Sequence, residues 1–218
     1  MNSKIRKVLN DPNLVLILVF LINVPIFGLL NKPIGNVRDL YCFIDEIIPV
    51  IPPFILIYHS WFFFLLLNIF LLYKKNVREY RNLMANLIVG QWAAYLTFIF
   101  FQTNVTRASN LGNAVFDKLI STTYFIDNHY AGFPSVHALT TTALLMALWR
   151  SNHTKTYKLL ASIYCILILA SILLVKQHVF WDLPGGIIYA VALYPIFLIL
   201  LNIVFPQSSV EKDFNNYN

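Results

Sequence analysis

FILIYHSWFFFLLLNIFLLY, residues 54–73, runs for twenty residues without an Asp, Glu, Lys or Arg. Coiled as a helix it is about 30 Å long, which matches the hydrocarbon core of a bilayer, and roughly 20 largely apolar residues suffice to span one. Five other stretches come near that length: Leu14 to Leu30, Leu83 to Gln102, Ser135 to Trp149, Leu159 to Val175 and Leu183 to Val204. The run from Ser135 is the shortest and carries His137 and a Thr140-Thr141-Thr142 tract. It is kept as a span because dropping it breaks the charge alternation of the loops. Composition agrees. The 218 residues are 58% hydrophobic and 12% charged, with a mean hydropathy of +0.66, whereas a soluble domain is about 25% charged. A soluble or disordered chain is excluded. The expected fold is an all-α integral membrane protein, a six-transmembrane-helix bundle forming one domain over residues 1–218.

Six spans put both termini on one side, and the Lys/Arg distribution chooses the side, since positive charge stays cytoplasmic. With the termini inside, inner segments hold Lys4, Arg6, Lys7, Lys74, Lys75, Arg78, Arg81, Arg150, Lys155, Lys158 and Lys212; outer ones hold Lys32, Arg38, Arg107, Lys118 and Lys176. Acidic residues favour the outer side, so the formal charge of +6 is a topological signal. No single basic patch forms, and a nucleic-acid partner is not expected. Residues 205–218 read as a short cytoplasmic tail. No small-residue cleavage site follows the first apolar run, which reads as a retained anchor. Cys42 lies in a connecting segment and Cys165 in an apolar run, so no disulfide framework is expected.

Polar groups converge on the outer side. His178 and Asp182 are four residues apart at the mouth of the sixth span, where one helical turn would bring them to the same face. A carboxylate can hold one imidazole nitrogen protonated and leave the other free as base or nucleophile. Gly132-Phe133-Pro134-Ser135-Val136-His137 stands at the start of the fourth span; Pro and Ser there signal a helix start, whose free N–H groups suit an anion. His137 would stand in the first turn. Arg107 and Lys176 supply a planar fork and a point charge for phosphate oxygens. Taken singly, each group is most simply a surface hydrogen bond, a cap or an interfacial anchor. Together they meet separate needs of phosphoryl transfer: cations, a nucleophile, an orienting carboxylate and a general acid. The long outer segments, 31–53 and 103–134, read as irregular, with a short helix around Asn113 to Thr122.

The order Arg107, Phe133-Pro134-Ser135-Val136-His137, then Ser171, Lys176-Gln177-His178 and Asp182 resembles the three signature motifs of the type 2 phosphatidic acid phosphatase superfamily, which includes vanadium haloperoxidases. Segment Asp45 to Tyr58, with Pro49, Pro52 and Pro53, resembles its inositol-phosphoceramide and sphingomyelin synthase branch. The motif-bearing core covers about 45–190. The resemblance implies a membrane-embedded lipid phosphatase acting on a lipid phosphomonoester or isoprenyl diphosphate. His178 would form a phosphohistidine, Asp182 would orient it, and His137 would protonate the leaving alcohol. Arg107, Ser135 and Lys176 would hold phosphate. No metal or other cofactor is implied; the expected partners are the phosphorylated lipid and the membrane, with the site extracytoplasmic. Two cations of the family pattern are replaced here, by Phe100 seven residues before Arg107 and by Ile172 after Ser171.

Other readings remain open. Headgroup transfer would use the same histidines. A transporter would line a path with its polar groups, but here these gather at one surface. A non-catalytic lipid-binding relative would account for the lost cations. A zinc site from His129, His137, His178 and Asp182 is conceivable, yet no helix supplies a His-Glu-x-x-His pair. His59, His153 and the four tryptophans, Trp61 among them, read as interfacial or packing residues. Oligomeric state is not legible.

Overall fold

The computed structural model describes residues 12–204; Lys4, Arg6, Lys7 and the tail at 205–218 lie outside the described residues. In chain order the elements are α1 (Pro12–Leu30), β1 (Arg38–Asp39), α2 (Phe43–Ile47), α3 (Ile55–Lys75), α4 (Val77–Phe100), β2 (Thr103–Asn104), α5 (Val115–Ile126), α6 (Val136–Arg150), α7 (Lys155–Leu174) and α8 (Asp182–Val204). The helix boundaries follow from local chemistry. A 3₁₀ turn at Pro52–Phe54 leads into α3. Asn76 stops α3 and starts α4, its side chain accepting the Glu79 N–H at 3.1 Å, which satisfies one of the donors a helix start leaves free. Thr154 caps α7 in the same way through the Tyr157 N–H. Lys74 and Lys75 close α3 and Arg150 closes α6, where cations meet the negative end of the helix dipole.

Five helices among the described residues are long and apolar enough to cross a membrane: Asn13–Leu30, Pro52–Lys75, Val77–Phe100, Lys155–Leu174 and Asp182–Leu200. The fourth expected span, α6, has 15 residues, about 22 Å of helix, and falls short of that length. Its surroundings explain its composition. It packs against α3, α4, α7 and α8, and Ala138, Thr140, Thr141, Ala143 and Ala147 are all buried. A helix enclosed by helices needs small residues on several faces rather than a long lipid-facing surface. Gly90 and Gly186 permit the approach: a Cβ at Gly90 would meet the Leu139 side chain at 3.0 Å, and one at Gly186 would meet the Ser135 carbonyl oxygen.

The core divides along the bundle. One cluster, around Leu83, Met84, Leu87, Leu144 and Leu148, fills one half; a second, around Ile55, Tyr58, Ile120, Ala138 and Ile172, lies under the other end. In the first half Glu79 is buried and accepts from Arg150 Nε at 3.1 Å and from the Tyr194 hydroxyl at 2.8 Å, tying α4 to α6 and α8. At the opposite end the two long connecting segments meet. They hold a pairing that the sequence reading had as irregular chain: β1 runs parallel to β2, with Arg38 beside Thr103 and Asp39 beside Asn104. The short helix expected at Asn113 to Thr122 is α5, set two to four residues later.

Candidate active site

The site is assembled at the end of the bundle where α1, α4 and α7 finish and α3, α6 and α8 begin. At the end of α7 the N–H of Gln177 bonds the Ile172 carbonyl at 2.9 Å and that of Lys176 bonds Leu173 at 3.1 Å. This is the crossed pattern that stops a helix on a left-handed residue. That residue is Lys176, at φ 51°, a conformation that costs a non-glycine residue roughly 1–2 kcal/mol. Its side chain offsets the strain: Nζ donates to the carbonyls of Asp45 and Ile48, both at 2.7 Å. The Asp45 carboxylate in turn accepts the Phe180 N–H at 2.7 Å. The turn that carries His178 is thereby clamped to α2 and the residues after it.

His178 and Asp182 meet, though not on one helical turn as the spacing suggested. Asp182 is the first residue of α8, and His178 stands in the tight turn before it. Asp182 Oδ2 lies 3.0 Å from His178 Nδ1 and also accepts the Val179 N–H at 3.1 Å. A carboxylate only accepts, so the imidazole proton resides on Nδ1 and Nε2 keeps its lone pair. Asp182 is fully buried. Its carbonyl accepts the Ser135 N–H at 3.0 Å, which fixes the start of α8 to the start of α6.

Ser135 is the N-cap of α6, its Oγ accepting the Ala138 N–H at 3.2 Å. Two residues on, the His137 ring lies 5.7 Å from that of His178, edge to face. Trp61 and Tyr58 of α3 hold it from the other side, with ring centroids at 4.2 and 4.9 Å. The Trp61 indole N–H is spent on Thr140 Oγ1 at 3.2 Å. Trp61, expected to be an interfacial or packing residue, instead forms a wall of the site.

Arg107 lies over the Tyr124 ring at 4.5 Å. Its guanidinium donates to the Tyr124 carbonyl at 2.7 Å, the Asn128 carbonyl at 3.0 Å and Gln177 Oε1 at 3.3 Å, while Nε is buried with no hydrogen-bond partner. Burial pulls its pKa down and Asp127 opposes the shift; an arginine stays charged regardless.

A cavity of about 140 Å³ is lined by His137, His178, Asp127, His129, Tyr58, Trp61 and Gln91 among others. A wider cleft of about 510 Å³ shares His137, Asp127, Tyr58 and Trp61 and continues past Leu119, Thr122 and Ile126 of α5. Of the expected site residues, the fold brings His137, His178 and Asp182 together. Arg107 reaches the cavity from behind, through Gln177 and Asn128. Lys176 is not brought in, because its ammonium is committed to the carbonyls of Asp45 and Ile48. The Ser135 hydroxyl oxygen faces its own helix. Among the described residues no three His, Cys, Asp or Glu side chains converge as a metal-ligand set.

Residues 103–205 match the family model of the PAP2 superfamily. This match, over just under half of the chain, supports the PAP2 superfamily for the segment that carries the motifs. The PAP2 match takes in Arg107, Ser135, His137, His178 and Asp182, whereas Asn31 and the whole of α3 and α4, with Tyr58, Trp61 and Gln91, precede it. No curated protein and no solved structure gives a match. Membership of the PAP2 superfamily goes with phosphatase-type phosphoester hydrolysis.

Asp127 stands among the outer polar groups in the sequence, in the segment Tyr124 to Asp127 ahead of the second motif, but the motifs give it no role. Asn31, at the end of α1, donates to Asp127 Oδ1 and to the Asn128 carbonyl, both at 2.7 Å, and so aims the carboxylate. Burial raises its pKa, with Arg107, His178 and the Asn31 bond pulling it back. Its position one residue beyond α5 and its place among the outer polar groups are visible in the sequence. Its partner Asn31, just after α1 and 96 residues away, is not.

Proposed function

We propose that the protein cleaves a phosphate ester of a membrane lipid by covalent catalysis on His178. The carrying observation is the buried His178–Asp182 pair facing His137 across one cavity. His178 Nε2 attacks phosphorus, the P–O bond to the leaving alcohol breaks, and protonated His137 gives that oxygen its proton. Water then loses a proton to His137 and attacks the phosphohistidine, the P–N bond breaks, and His178 is restored. Asp182 keeps the attacking tautomer and stabilises the imidazolium that forms, and the Arg107 charge together with the N–H groups at the start of α6 offsets charge on the phosphoryl oxygens.

Headgroup transfer is the second reading, favoured by Phe100 and Ile172. Phe100 is 78% exposed and Ile172 fully buried, so neither position brings a cation to the phosphoryl group. A lipid hydroxyl would then replace water in the second step. The Lys/Arg excess at the opposite end, from Lys74, Lys75, Arg78, Arg150, Lys155 and Lys158, supports placing the site on the extracytoplasmic face. Product analysis with purified protein in detergent and no divalent metal tests the proposal. Turnover that His178→Ala and His137→Ala both abolish supports it, and turnover indifferent to both refutes it.

A further inference from the structure

We propose that Gln91, set by Asn23 in the cavity wall, determines specificity for the leaving alcohol. Its amide N–H groups take a carbonyl close to the phosphate, so that the site prefers ester- or amide-linked lipids over ether-linked and isoprenoid ones. The inference rests on the reading of His178 as nucleophile and His137 as donor to the leaving oxygen, and adds what the leaving group carries. Gln91 and Asn23 both lie outside the segment matched by the family model, and no motif assigns them a part.

The cavity has two kinds of wall. Its phosphoryl end holds His178 and Asp127, and the Tyr58 hydroxyl and Gln177 amide belong there: Tyr58 feels the charges of Asp127 and Arg107, and Gln177 Oε1 accepts from Arg107 at 3.3 Å. Elsewhere Phe20, Val24 and Phe27 of α1, Phe62 of α3 and Tyr95 of α4 make the wall apolar, with Gln91 among them. Gln91 is only 4% exposed. Its Oε1 accepts from Asn23 Nδ2 at 2.7 Å, the one hydrogen bond of its side chain among the described residues. Asn23 is buried too, and the Tyr95 hydroxyl donates to its carbonyl at 2.8 Å. The Gln91 amide is thus fixed from α1, and with its oxygen taken it presents its N–H groups to the cavity. A buried amide donor among apolar side chains costs free energy until an acceptor meets it.

The helix crossing fixes where that acceptor sits. α4 and α6 run in opposite directions, with Gly90 against Leu139 and Glu79 bonded to Arg150. At a rise of about 1.5 Å per residue, Gln91 comes within roughly 2 Å of His137 in depth. Since His137 protonates the leaving oxygen, the atoms attached to that oxygen lie at the depth of Gln91. In an acylated glycerol or sphingoid alcohol an ester or amide carbonyl stands a few bonds from the leaving oxygen. A dialkyl ether or an isoprenyl alcohol has none there. A site that offers a buried donor rejects the analogue lacking its partner, because the donor is then left unpaired.

The test reads release of the lipid alcohol, which is the product of the first step whether water or a hydroxyl completes the second. It is followed by mass spectrometry from detergent micelles without divalent metal. The substrates are a diacylglycerol phosphate, its dialkyl ether analogue, a ceramide phosphate and an isoprenyl phosphate, and the ester and ether members are also run as phosphocholine diesters. Within each series the phosphate is the same, so differences in kcat/KM arise in the leaving alcohol. The native chain should favour the ester, the amide or both over the ether and isoprenyl members by about tenfold. Gln91→Met, apolar and of similar length, should bring that ratio to within about twofold of one, whereas a merely structural Gln91 would slow all members alike. Should Gln91→Met not fold, Asn23→Leu reads the same ratio with the anchor removed. A native chain that treats carbonyl and ether lipids alike, or a ratio that the substitution leaves unchanged, overturns the assignment while leaving His178 in place. Turnover that survives His178→Ala, or no turnover of any lipid, overturns the underlying site reading and this inference with it.

Discussion

Gly186→Ala adds one methyl group where α8 crosses the start of α6. The new Cβ would collide with the Ser135 carbonyl oxygen and lie 2.9 Å from the Leu139 nitrogen and 2.8 Å from the Ala138 Cβ. The first two neighbours are backbone, already joined to each other by a 3.0 Å hydrogen bond, so no flexible side chain can yield. Ordinary contact begins at 3.4 Å, so α8 has to withdraw by at least 0.6 Å to clear the Ala138 Cβ at 2.8 Å, and by more to clear the Ser135 oxygen. That carries Asp182 away from the Ser135 N–H, now at 3.0 Å, and draws His178 back from His137. Overpacking of this kind costs about 1–3 kcal/mol of stability, and a misplacement near 1 Å costs roughly a hundredfold in rate. The assay pairs turnover of a lipid ester with thermal unfolding in the same detergent. Gly28→Ala is the control, since a Cβ there meets nothing within 4 Å, and a helix-interior Gly→Ala change gains up to about 1 kcal/mol. The expected result is a Gly186→Ala protein that remains helical, melts lower and turns over about a hundredfold slower, beside an unimpaired Gly28→Ala. Turnover within twofold of native for Gly186→Ala would refute the claim that this contact sets the distance between the histidines.

Asp182→Asn puts an amide where Oδ2 accepts from both His178 and Val179; turnover should fall roughly 10²- to 10⁴-fold because the wrong tautomer is held, and steady-state kinetics with little loss would speak against the orienting role. Lys176→Met removes the clamp but not a phosphate ligand: thermal stability should drop by about 1–3 kcal/mol and kcat should fall with KM nearly constant, whereas a rise in KM alone would return Lys176 to the substrate. Burial raises the Asp127 pKa in the folded protein, so the neutral form favours folding. Its stabilising effect is complete below the unfolded carboxyl value, about 3.9, and is lost as pH rises through the higher folded value. Melting curves should therefore show Asp127→Asn gaining on the native chain between pH 4 and pH 7, and parallel curves would contradict it.

Apolar length was legible because it is a local property. Phe54 to Tyr73, Leu159 to Val175 and Leu183 to Val204 each fall within a few residues of α3, α7 and α8. The motif order also placed His137, His178 and Asp182 at one end of the bundle, since alternating spans bring those helix ends together. Three features were beyond that kind of reading. The turn before α8 depends on Asp45, 135 residues from the Phe180 N–H that it accepts, so the spacing of His178 and Asp182 alone could not choose turn over helix. Lys176 looked like a free cation because nothing nearby in sequence marks the carbonyls of Asp45 and Ile48 as its partners. Tyr58 and Trp61 looked like span residues, and only the packing of α3 on α6 turns them onto His137. Each is a long-range contact, the information that periodicity and composition lack.

The central claim is that His178 becomes covalently attached to phosphorus. A p-nitrophenyl phosphate ester has a leaving group that needs no proton, so with His137→Ala the first step proceeds while the second is slowed. Quenching that variant during turnover and mapping the adduct by mass spectrometry is the most direct measurement. The account predicts an acid-labile phosphoryl group on His178, more abundant than in the native chain and absent from His178→Ala. An adduct on another residue, or undiminished turnover in His178→Ala, would contradict it.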